Sequence, residues 1–218
     1  IIAELKKRHP DVDIIATFFS PSGYEHSRTY KLASIITYIP FDSDANARRF
    51  IELIRPSAAV IVRYDVWPNH LWALRRAGVP TFIANATLRR NSARRLPLLK
   101  QFHRAIYNAL DYILTVSPAD KETFDTFGLT HPVVEVVGDT RYDQVWLRSA
   151  ESRSRQVIEP RILAGKKVLV IGSSWKADED VLIQACLPLF ADHPEFLVIL
   201  VPHEPTLENL ERIEFEFN

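Results

Sequence analysis

The chain is predicted to be an α/β protein of the doubly wound type, built from two parallel-sheet domains. Short apolar runs alternate along the sequence with longer amphipathic segments, a pattern typical of βαβ units. Polar and aromatic loops follow several of these runs, and in parallel sheets such loops share one edge, where ligands bind. The 47% apolar content of the 218 residues is ample for one or two hydrophobic cores.

Eight strands and eight helices are expected in alternation. The strands are predicted near residues 12–17, 35–39, 58–62, 80–84, 112–116, 133–137, 167–172 and 196–201. The helices are predicted near residues 1–9, 43–55, 67–77, 92–110, 118–127, 140–155, 176–191 and 206–215. Residues 1–9 have apolar positions at helical spacing and a basic end, which favours a helix over a signal peptide. No apolar run approaches the roughly 20 residues that a membrane-spanning helix needs.

A domain boundary is expected at residues 148–165, because this stretch is polar and separates two series of strands. Residues 1–147 then form a first Rossmann-like domain, and residues 166–218 form the beginning of a second. A doubly wound domain normally starts with a strand and a ligand-facing loop, whereas this sequence starts within a helical pattern and contains no Met. The chain is therefore expected to be a fragment, truncated at both ends, whose first domain lacks its first strand.

Charge and cysteine content exclude some classes of function. The 27 Lys and Arg residues balance 27 Asp and Glu residues, so no overall field attracts nucleic acid and no such partner is expected. Cys186 is single and stands among apolar residues, which is consistent with a buried thiol and a reducing compartment. The seven His residues form no close ligand pair, so no metal site is expected.

The most informative segment is residues 63–69, with the sequence RYDVWPN, which follows one predicted strand and precedes a helical pattern. Trp67 taken singly is equally consistent with a core aromatic residue, and Pro68 with the first turn of a helix. Further polar loops follow later strands at 85–92 (NATLRRNS), 138–143 (GDTRYD), 172–179 (GSSWKADE) and 201–203 (VPH). Because all five loops follow predicted strands, together they favour a ligand site.

This ordered set of loops resembles the Kdo transferase family, whose members move 3-deoxy-D-manno-octulosonic acid (Kdo) from its CMP-activated form onto lipid A precursors. The family's loops read approximately E-x-E-x-W-P-N, N-A-R-x-S-x-x-S, G-N-x-K-F-D, G-S-T-H-x-G-E-E and P-R-H. The likeness also includes residues 17–23 (TFFSPSG) and covers essentially the whole chain. It implies a GT-B architecture and an inverting glycosyltransferase of lipopolysaccharide biosynthesis. It also implies a nucleotide-sugar donor, no further cofactor, and a peripheral location at the cytoplasmic face of the inner membrane.

The resemblance assigns candidate site residues to both domains. Donor-nucleotide binding is assigned to Gly172, Ser173, Ser174, Trp175, Pro202 and His203, and the acceptor cleft to Ser20, Ser22, Gly23, Asp65, Trp67, Asn69, Asn85, Ser92 and Arg141. Backbone N–H groups at a helix start are suited to hold a leaving phosphate, although an ordinary cap by Ser174 explains the same segment.

The catalytic base that the resemblance implies is a glutamate in a glycine-rich loop, and this loop is expected upstream of Ile1. None of Glu4, Glu25 and Asp42 matches that glutamate. No catalytic residue is therefore named, and the chain by itself is expected to be inactive.

The sequence departs from the family pattern at three informative positions. Arg63 replaces the first Glu of the Trp-Pro-Asn motif, Trp175 replaces a His, and Val201 replaces an Arg suited to clamp phosphate. These changes suggest a divergent subfamily with an altered donor or acceptor. Two alternatives stay open: another nucleotide-sugar enzyme of the same architecture, such as a UDP-sugar epimerase or a different transferase, and a degenerate, non-catalytic sugar- or lipid-binding module.

A basic segment at residues 89–104 contains no acidic residue. Its cations are Arg89, Arg90, Arg94, Arg95, Lys100 and Arg104. On a helix over 92–110 they would form a stripe of one sign, which a solvated helix face explains as well as an anion-binding surface does. The resemblance adds the expectation that this stripe faces the anionic surface of the inner membrane.

Overall fold

The computed structural model describes residues 1–63, 65–153 and 155–217 as strands alternating with helices. The strands are β1 (Ile15–Phe18), β2 (Ile35–Tyr38), β3 (Ala59–Val62), β4 (Thr81–Ala86), β5 (Tyr112–Thr115), β6 (Val133–Val136), β7 (Lys167–Ser174) and β8 (Phe196–Pro202). The α-helices are α1 (Ile2–Arg8), α2 (Pro21–Ser27), α3 (Asp44–Ile54), α4 (Pro68–Arg76), α5 (Pro97–Tyr107), α6 (Pro118–Asp125), α7 (Thr140–Ser152), α8 (Pro160–Leu163), α9 (Lys176–Asp192) and α10 (Leu207–Phe217). A 3-10 helix covers Ala93–Arg95.

The chain divides into two compact units, residues 1–145 (unit 1) and 146–218 (unit 2). The division falls within α7, and α8 lies inside the segment 148–165 that the sequence favours as a linker. The assignment of residues 1–147 and 166–218 to two functional domains stays a prediction.

Every strand pair in the described part of the chain is parallel. In unit 1, β1 pairs with β2, and β3, β4, β5 and β6 form a second sheet in that order. In unit 2, β7 pairs with β8 from Lys167 opposite Phe196 to Ser174 opposite Pro202. The prediction of an α/β fold with parallel sheets is confirmed.

Side-chain caps and proline explain where several helices begin. The hydroxyls of Ser20, Ser43 and Ser117 accept hydrogen bonds from backbone N–H groups in the first turns of α2, α3 and α6. Proline is the first residue of α2, α4, α5, α6 and α8, a position at which its missing N–H costs nothing.

The core of unit 1 lies between its helices and its four-stranded sheet. Leu71, Ile83, Leu110 and Ile113 are almost fully buried there, and the ring of Tyr107 contacts two phenylalanine rings of the same cluster. A second cluster joins α3 to α4 through four buried side chains: Ala47, Ile51, Ala73 and Leu74. These contacts bury the apolar faces that the sequence pattern marks on both helices.

The prediction of one helix over residues 92–110 is wrong for the first part of that range. Leu96 has an extended backbone, with φ −59° and ψ 142°, and separates the 3-10 helix from α5. The cause is Pro97, because proline disfavours the α conformation of the residue before it. The basic segment 89–104 is therefore spread over a turn, a 3-10 helix and part of α5 rather than forming one helical stripe.

Candidate functional site

Two residues in unit 2, Ser173 and His203, meet at the carboxyl ends of β7 and β8. Ser173 has φ 61°, rare for a residue with a side chain, and lies at a register shift between Gly172 and Ser174. Its Oγ lies 2.7 Å from Nδ1 of His203, and the backbone N–H of His203 donates to the carbonyl of Ser174 at 2.8 Å. The unusual backbone of Ser173 thus turns its hydroxyl toward the loop after β8.

The indole of Trp175 stacks on the imidazole of His203, with ring centroids 4.2 Å apart and an interplanar angle of 28°. Trp175 is 54% exposed, so the stack presents aromatic surface to solvent. We refer to Ser173, Trp175 and His203 as the unit 2 rim. It combines a hydroxyl, an imidazole and an indole, groups suited to hydrogen bonding and ring stacking with a nucleotide.

Ser174 is 5% exposed, and its hydroxyl donates to Oε1 of Glu179 at 2.7 Å. Glu179 is 1% exposed, and its carboxylate also accepts a hydrogen bond from the guanidinium of Arg212 on α10. The Ser174 side chain is therefore engaged inside the unit, so any ligand contact at this position falls to its backbone. The network ties the end of β7 to α10.

The 17-residue helix α9 starts directly beside the unit 2 rim. Its N-cap residue is Trp175 rather than Ser174, and the Asp178 carboxylate accepts a hydrogen bond from the Trp175 N–H at 3.0 Å. The helix N-terminus carries a partial positive charge and is favourable for an anion such as phosphate. Gly172, opposite Val201, is exposed, and Pro202, opposite Ser174 in the last pair of the two strands, is buried.

In unit 1, polar residues interlock at the ends of β4 and β6. The Asn85 amide donates to the Thr140 hydroxyl at 2.8 Å, and the Thr140 N–H donates to Asn85 Oδ1 at 3.1 Å. Asn85 holds φ 54°, a value that asparagine tolerates better than most residues with a side chain. This reciprocal pair joins the end of β4 to the start of α7, 55 residues further along the sequence.

Arg141 donates hydrogen bonds to the Asp139 carboxylate from its backbone N–H and from its guanidinium. Its Nε lies 3.0 Å from Oδ1 and 2.8 Å from Oδ2 of Asp139. These hydrogen bonds, with a further contribution from the positive charge of Arg63, lower the pKa of Asp139 to about 2. Arg63 lies at the end of β3 with φ 66°. Asp139 is therefore ionised at neutral pH and unsuited to act as a general base.

Asp42, in the loop after β2, holds the start of α4. Its carboxylate accepts hydrogen bonds from the backbone N–H of Asn69 and His70 at 3.3 and 3.1 Å and from His70 Nδ1 at 2.8 Å. The Asn69 side-chain amide also donates to Asp42. The N-cap residue of α4, Trp67, makes no side-chain cap, and Asp42 accepts the hydrogen bonds of the first turn instead. The predicted cleft residue Asn69 is therefore engaged in anchoring the Trp67 loop.

The remaining acceptor-side candidates have local roles. The Ser20 hydroxyl accepts from the Gly23 N–H at 3.1 Å and lies 3.5 Å from that of Ser22. A Cβ on Gly23 would lie 3.0 Å from Phe18 Cδ1 and from Ser20 Oγ, so this turn favours glycine. Among the other candidates, Trp67 contacts Phe19 with ring centroids 4.7 Å apart, Asp65 is exposed, and Ser92 caps the 3-10 helix.

The catalytic base expected upstream of Ile1 stays a prediction. Ile1 is the N-cap residue of α1, is 52% exposed, and accepts a hydrogen bond from the Leu5 N–H through its carbonyl. It takes part in the helix start, and its aliphatic side chain cannot accept a proton from an acceptor hydroxyl. Glu4, in the first turn of the same helix, pairs with Arg8 at 2.8 Å, which lowers the pKa of its carboxyl group. Neither residue is therefore assigned to the reaction.

Sequence reasoning missed two residues that organise these loops, Asp42 and Glu179. Asp42 follows a predicted strand, which is the signal that selected the other loops and applied to it as well. Glu179 lies in the selected segment 172–179, but only its burial and its contact with Arg212 distinguish it from a surface helix residue.

No group of three or more His, Cys, Asp or Glu side chains in the described part of the chain is arranged to hold a metal ion. Among the same residues, no helix is long and apolar enough to cross a bilayer.

Solved structures of low sequence identity share the fold. A UDP-GlcNAc 2-epimerase from Neisseria meningitidis, bound to UDP-GlcNAc, matches with a TM-score of 0.66 and 14% identity over 99% of this chain and 64% of its own. A putative UDP-N-acetylglucosamine 2-epimerase from Listeria monocytogenes matches with a TM-score of 0.61 and 11% identity over 99% of this chain and 66% of its own. Identities this low support the fold only, and they confirm the predicted GT-B-like class.

Several curated relatives are named as 3-deoxy-D-manno-octulosonic acid transferases. The 3-deoxy-D-manno-octulosonic acid transferase of Haemophilus influenzae is 24% identical over 100% of this chain and 52% of its own length. That of Bordetella pertussis is 27% identical over 77% of this chain and 39% of its own length, and a probable mitochondrial one from Arabidopsis thaliana is 23% identical over 94% and 47%. The chain thus spans about half the length of the curated relatives it matches.

A sequence model described as 3-deoxy-D-manno-octulosonic-acid transferase (kdotransferase) matches residues 1–144, which is most of the chain and nearly all of unit 1. The resemblance inferred from the strand-end loops is therefore confirmed. The chain belongs to the 3-deoxy-D-manno-octulosonic-acid transferase family.

Proposed function

We propose that this chain is part of a glycosyltransferase that moves Kdo, or a related sugar acid, from its CMP-activated form to a lipid A precursor in lipopolysaccharide biosynthesis. The observation that carries the proposal is the unit 2 rim, found in a member of this family. It places a hydroxyl, an imidazole and an exposed indole beside the start of a long helix, an arrangement suited to a nucleotide.

The chemistry assigned to unit 2 is donor binding. The acceptor hydroxyl gives its proton to a general base while its oxygen attacks the anomeric carbon, the bond from that carbon to the phosphate oxygen breaks, and CMP leaves with its added negative charge. The N-terminus of α9 stabilises the phosphate, while the Trp175 and His203 rings support the base and ribose. Attack from the face opposite CMP inverts the anomeric centre. We assign no general base among the described residues, and we expect this chain by itself to bind nucleotide without turnover.

The acceptor side is assigned to unit 1 and to an anionic membrane surface at the cytoplasmic face. Its basic segment is accompanied by exposed apolar side chains of α5: Leu98 is 90% exposed and Phe102 is 49% exposed. Cations next to exposed apolar residues are characteristic of surfaces that lie in a membrane interface. Not every cation is available, because Arg90 pairs with Glu122 at 2.6 Å and Arg94 donates to the Tyr107 hydroxyl at 3.2 Å.

Calorimetric titration of the chain with CMP tests the donor assignment. His203→Ala and Trp175→Ala should each weaken CMP binding by about 1–3 kcal/mol, roughly 5- to 150-fold, because one removes a polar contact and the other a stacking surface. Trp146→Ala is the matched control, since Trp146 is 72% exposed and lies on α7, away from the unit 2 rim in sequence. Unchanged CMP affinity in both rim variants would remove the nucleotide from this site.

The same titration separates the proposal from an epimerase-like function. UMP has the same ribose phosphate but a different pyrimidine, so a CMP-specific site should bind it more weakly. Preference for UMP would instead favour a uridine-nucleotide enzyme of the kind suggested by the fold comparison.

A further inference from the structure

The strands and the helix that carry the unit 2 rim, β7, β8 and α9, contain two lysines and no arginine, and both lysines are paired with carboxylates. Lys176, the first residue of α9, lies 2.6 Å from Asp180. Lys167 stands at the opposite end of β7, where it lies 3.1 Å from a glutamate that precedes β8. On the neighbouring α10, Arg212 pairs with Glu179. A phosphate at the rim must therefore compete with a carboxylate for each of these cations.

The start of α9 already holds a carboxylate of its own. The Trp175 N–H donates to Asp178 at 3.0 Å, and the first turn of the helix contains two acidic residues, Asp178 and Glu179. A helix N-terminus strengthens the binding of an anion by about 2- to 5-fold, and a like charge in the first turn reduces this gain. Glu204, exposed and next to His203 in sequence, adds a further negative charge to the loop after β8. The charges around the rim therefore favour a neutral group over a phosphate.

The same rim offers aromatic and apolar surface to a neutral group. Trp175 is 54% exposed and stacks on His203. Val201 is 49% exposed, and because side chains alternate along an extended chain, it lies on the same face as His203, with the buried Pro202 between them. Stacking of one base on an aromatic side chain strengthens binding by about 5- to 150-fold, which exceeds the contribution of a helix terminus.

We propose that the unit 2 rim recognises the nucleoside part of its ligand, and that Val201 sets this preference by placing an apolar side chain where a cation would hold phosphate. The base stacks on the aromatic pair, and the start of α9 contributes the smaller share of the affinity through the phosphate. The proposal rests on the donor site proposed above and deepens it by naming the part of the nucleotide that is recognised. A free pyrimidine nucleoside should consequently compete with the nucleotide.

Calorimetric titration of the chain with CMP, cytidine and ribose 5-phosphate tests the proposal. We expect the affinity for cytidine to lie within about tenfold of that for CMP, and ribose 5-phosphate to bind at least about tenfold more weakly than cytidine. Trp175→Ala should weaken the binding of CMP and of cytidine by a similar factor, about 5- to 150-fold. The proposal is overturned if cytidine binds more than about tenfold more weakly than CMP, or if ribose 5-phosphate binds as tightly as cytidine.

A gain-of-function variant tests the role of Val201. Val201→Arg adds a guanidinium, which binds phosphate oxygens in pairs, and should raise the ratio of CMP affinity to cytidine affinity by about fivefold or more. Val181→Arg, the control, adds the same charge at a 69% exposed position within α9 and should leave this ratio unchanged. An unchanged ratio in Val201→Arg would overturn the role of Val201, and so would an equal rise in both variants, because net charge alone would then explain it.

The wild-type titrations distinguish failure of this proposal from failure of the donor site. If neither CMP nor cytidine binds, the donor site itself is refuted. If CMP binds and cytidine does not, the donor site stands and the preference for the nucleoside is refuted. Cytidine binding by Val201→Arg shows that this variant is folded.

Discussion

The strand-end loops of unit 1 and unit 2 use their polar side chains differently. In unit 1, Asn69 is engaged by Asp42, Asn85 by Thr140, and Arg141 by Asp139. In unit 2, the hydrogen bond and the ring stack of the rim side chains join them to one another, and Trp175 is more than half exposed.

The difference indicates separate roles for the two sets of loops. In unit 1, Asn69 and Asn85 are fixed by hydrogen bonds to distant segments and Arg141 by a local one, which is typical of a preorganised surface. In unit 2, the network of Ser174, Glu179 and Arg212 fixes the end of β7 next to the rim. The indole of Trp175 stays exposed and is accessible to a ligand. Breaking each network should therefore have different consequences.

Substitution of Arg212, in the network next to the unit 2 rim, should have the largest effect on the free energy of unfolding. Arg212→Met leaves the Glu179 carboxylate, which is 1% exposed, without its cation, and should cost about 3–5 kcal/mol in the free energy of unfolding. Urea denaturation measures it. Arg161→Met removes an exposed pair with Glu159 and should change stability by less than about 1 kcal/mol.

A second substitution shows whether the Arg212 effect comes from the uncompensated carboxylate. Adding Glu179→Gln to Arg212→Met removes the buried charge and should recover part of the lost stability. If Arg212→Met unfolds at the same urea concentration as wild type, the network does not support the rim, and the comparison between the units loses its basis.

Removing the Asp42 carboxylate from unit 1 should have an intermediate effect on the free energy of unfolding. Asp42→Ala removes an acceptor of hydrogen bonds from Asn69 and His70 and should cost about 1.5–3 kcal/mol in the free energy of unfolding. CMP affinity should stay at the wild-type value, since the unit 2 rim does not depend on this anchor. Asp11→Ala, at an exposed position, should change stability by no more than about 0.5 kcal/mol. Wild-type stability of Asp42→Ala would show that the Trp67 loop is held by other contacts.

The smallest effect concerns the pH dependence contributed by Asp139. Its pKa is about 2 in the folded chain against an ordinary value of 3.8, so folding favours the ionised form. The resulting stabilisation is complete well above pH 3.8 and is lost as the pH falls toward about 2. Arg141→Gln should raise the pKa of Asp139 toward 3.8, as measured by NMR titration of its side chain. A pKa that stays near 2 in this variant would assign the shift to the groups that remain, the backbone N–H of residue 141 and then Arg63.

Local sequence patterns predicted most secondary structure because periodicity and caps are local properties. The predicted strand at 58–62 is Ala59–Val62, and the one at 196–201 is Phe196–Pro202. The strand predicted at 12–17 begins only at Ile15, because Asp13 accepts a hydrogen bond from Ser34 and belongs to the preceding loop. Helix α2 was not predicted, although Ser20 followed by Pro21 is a helix-start signal.

The sequence by itself determined the fold class, the family and the place of the polar loops after the strands, since alternation and residue order carry that information. Only the tertiary structure decided which loop residues are engaged and which are open. Asn85 and Thr140 are 55 residues apart, and Glu179 and Arg212 are 33 apart. Such pairs depend on how strands and helices pack, and a hydrogen bond between distant residues leaves no periodic signal in either segment. The sequence assigns both Asn69 and Trp175 to the site. The structure shows that the Asn69 side chain is hydrogen-bonded to Asp42, whereas the Trp175 side chain is exposed.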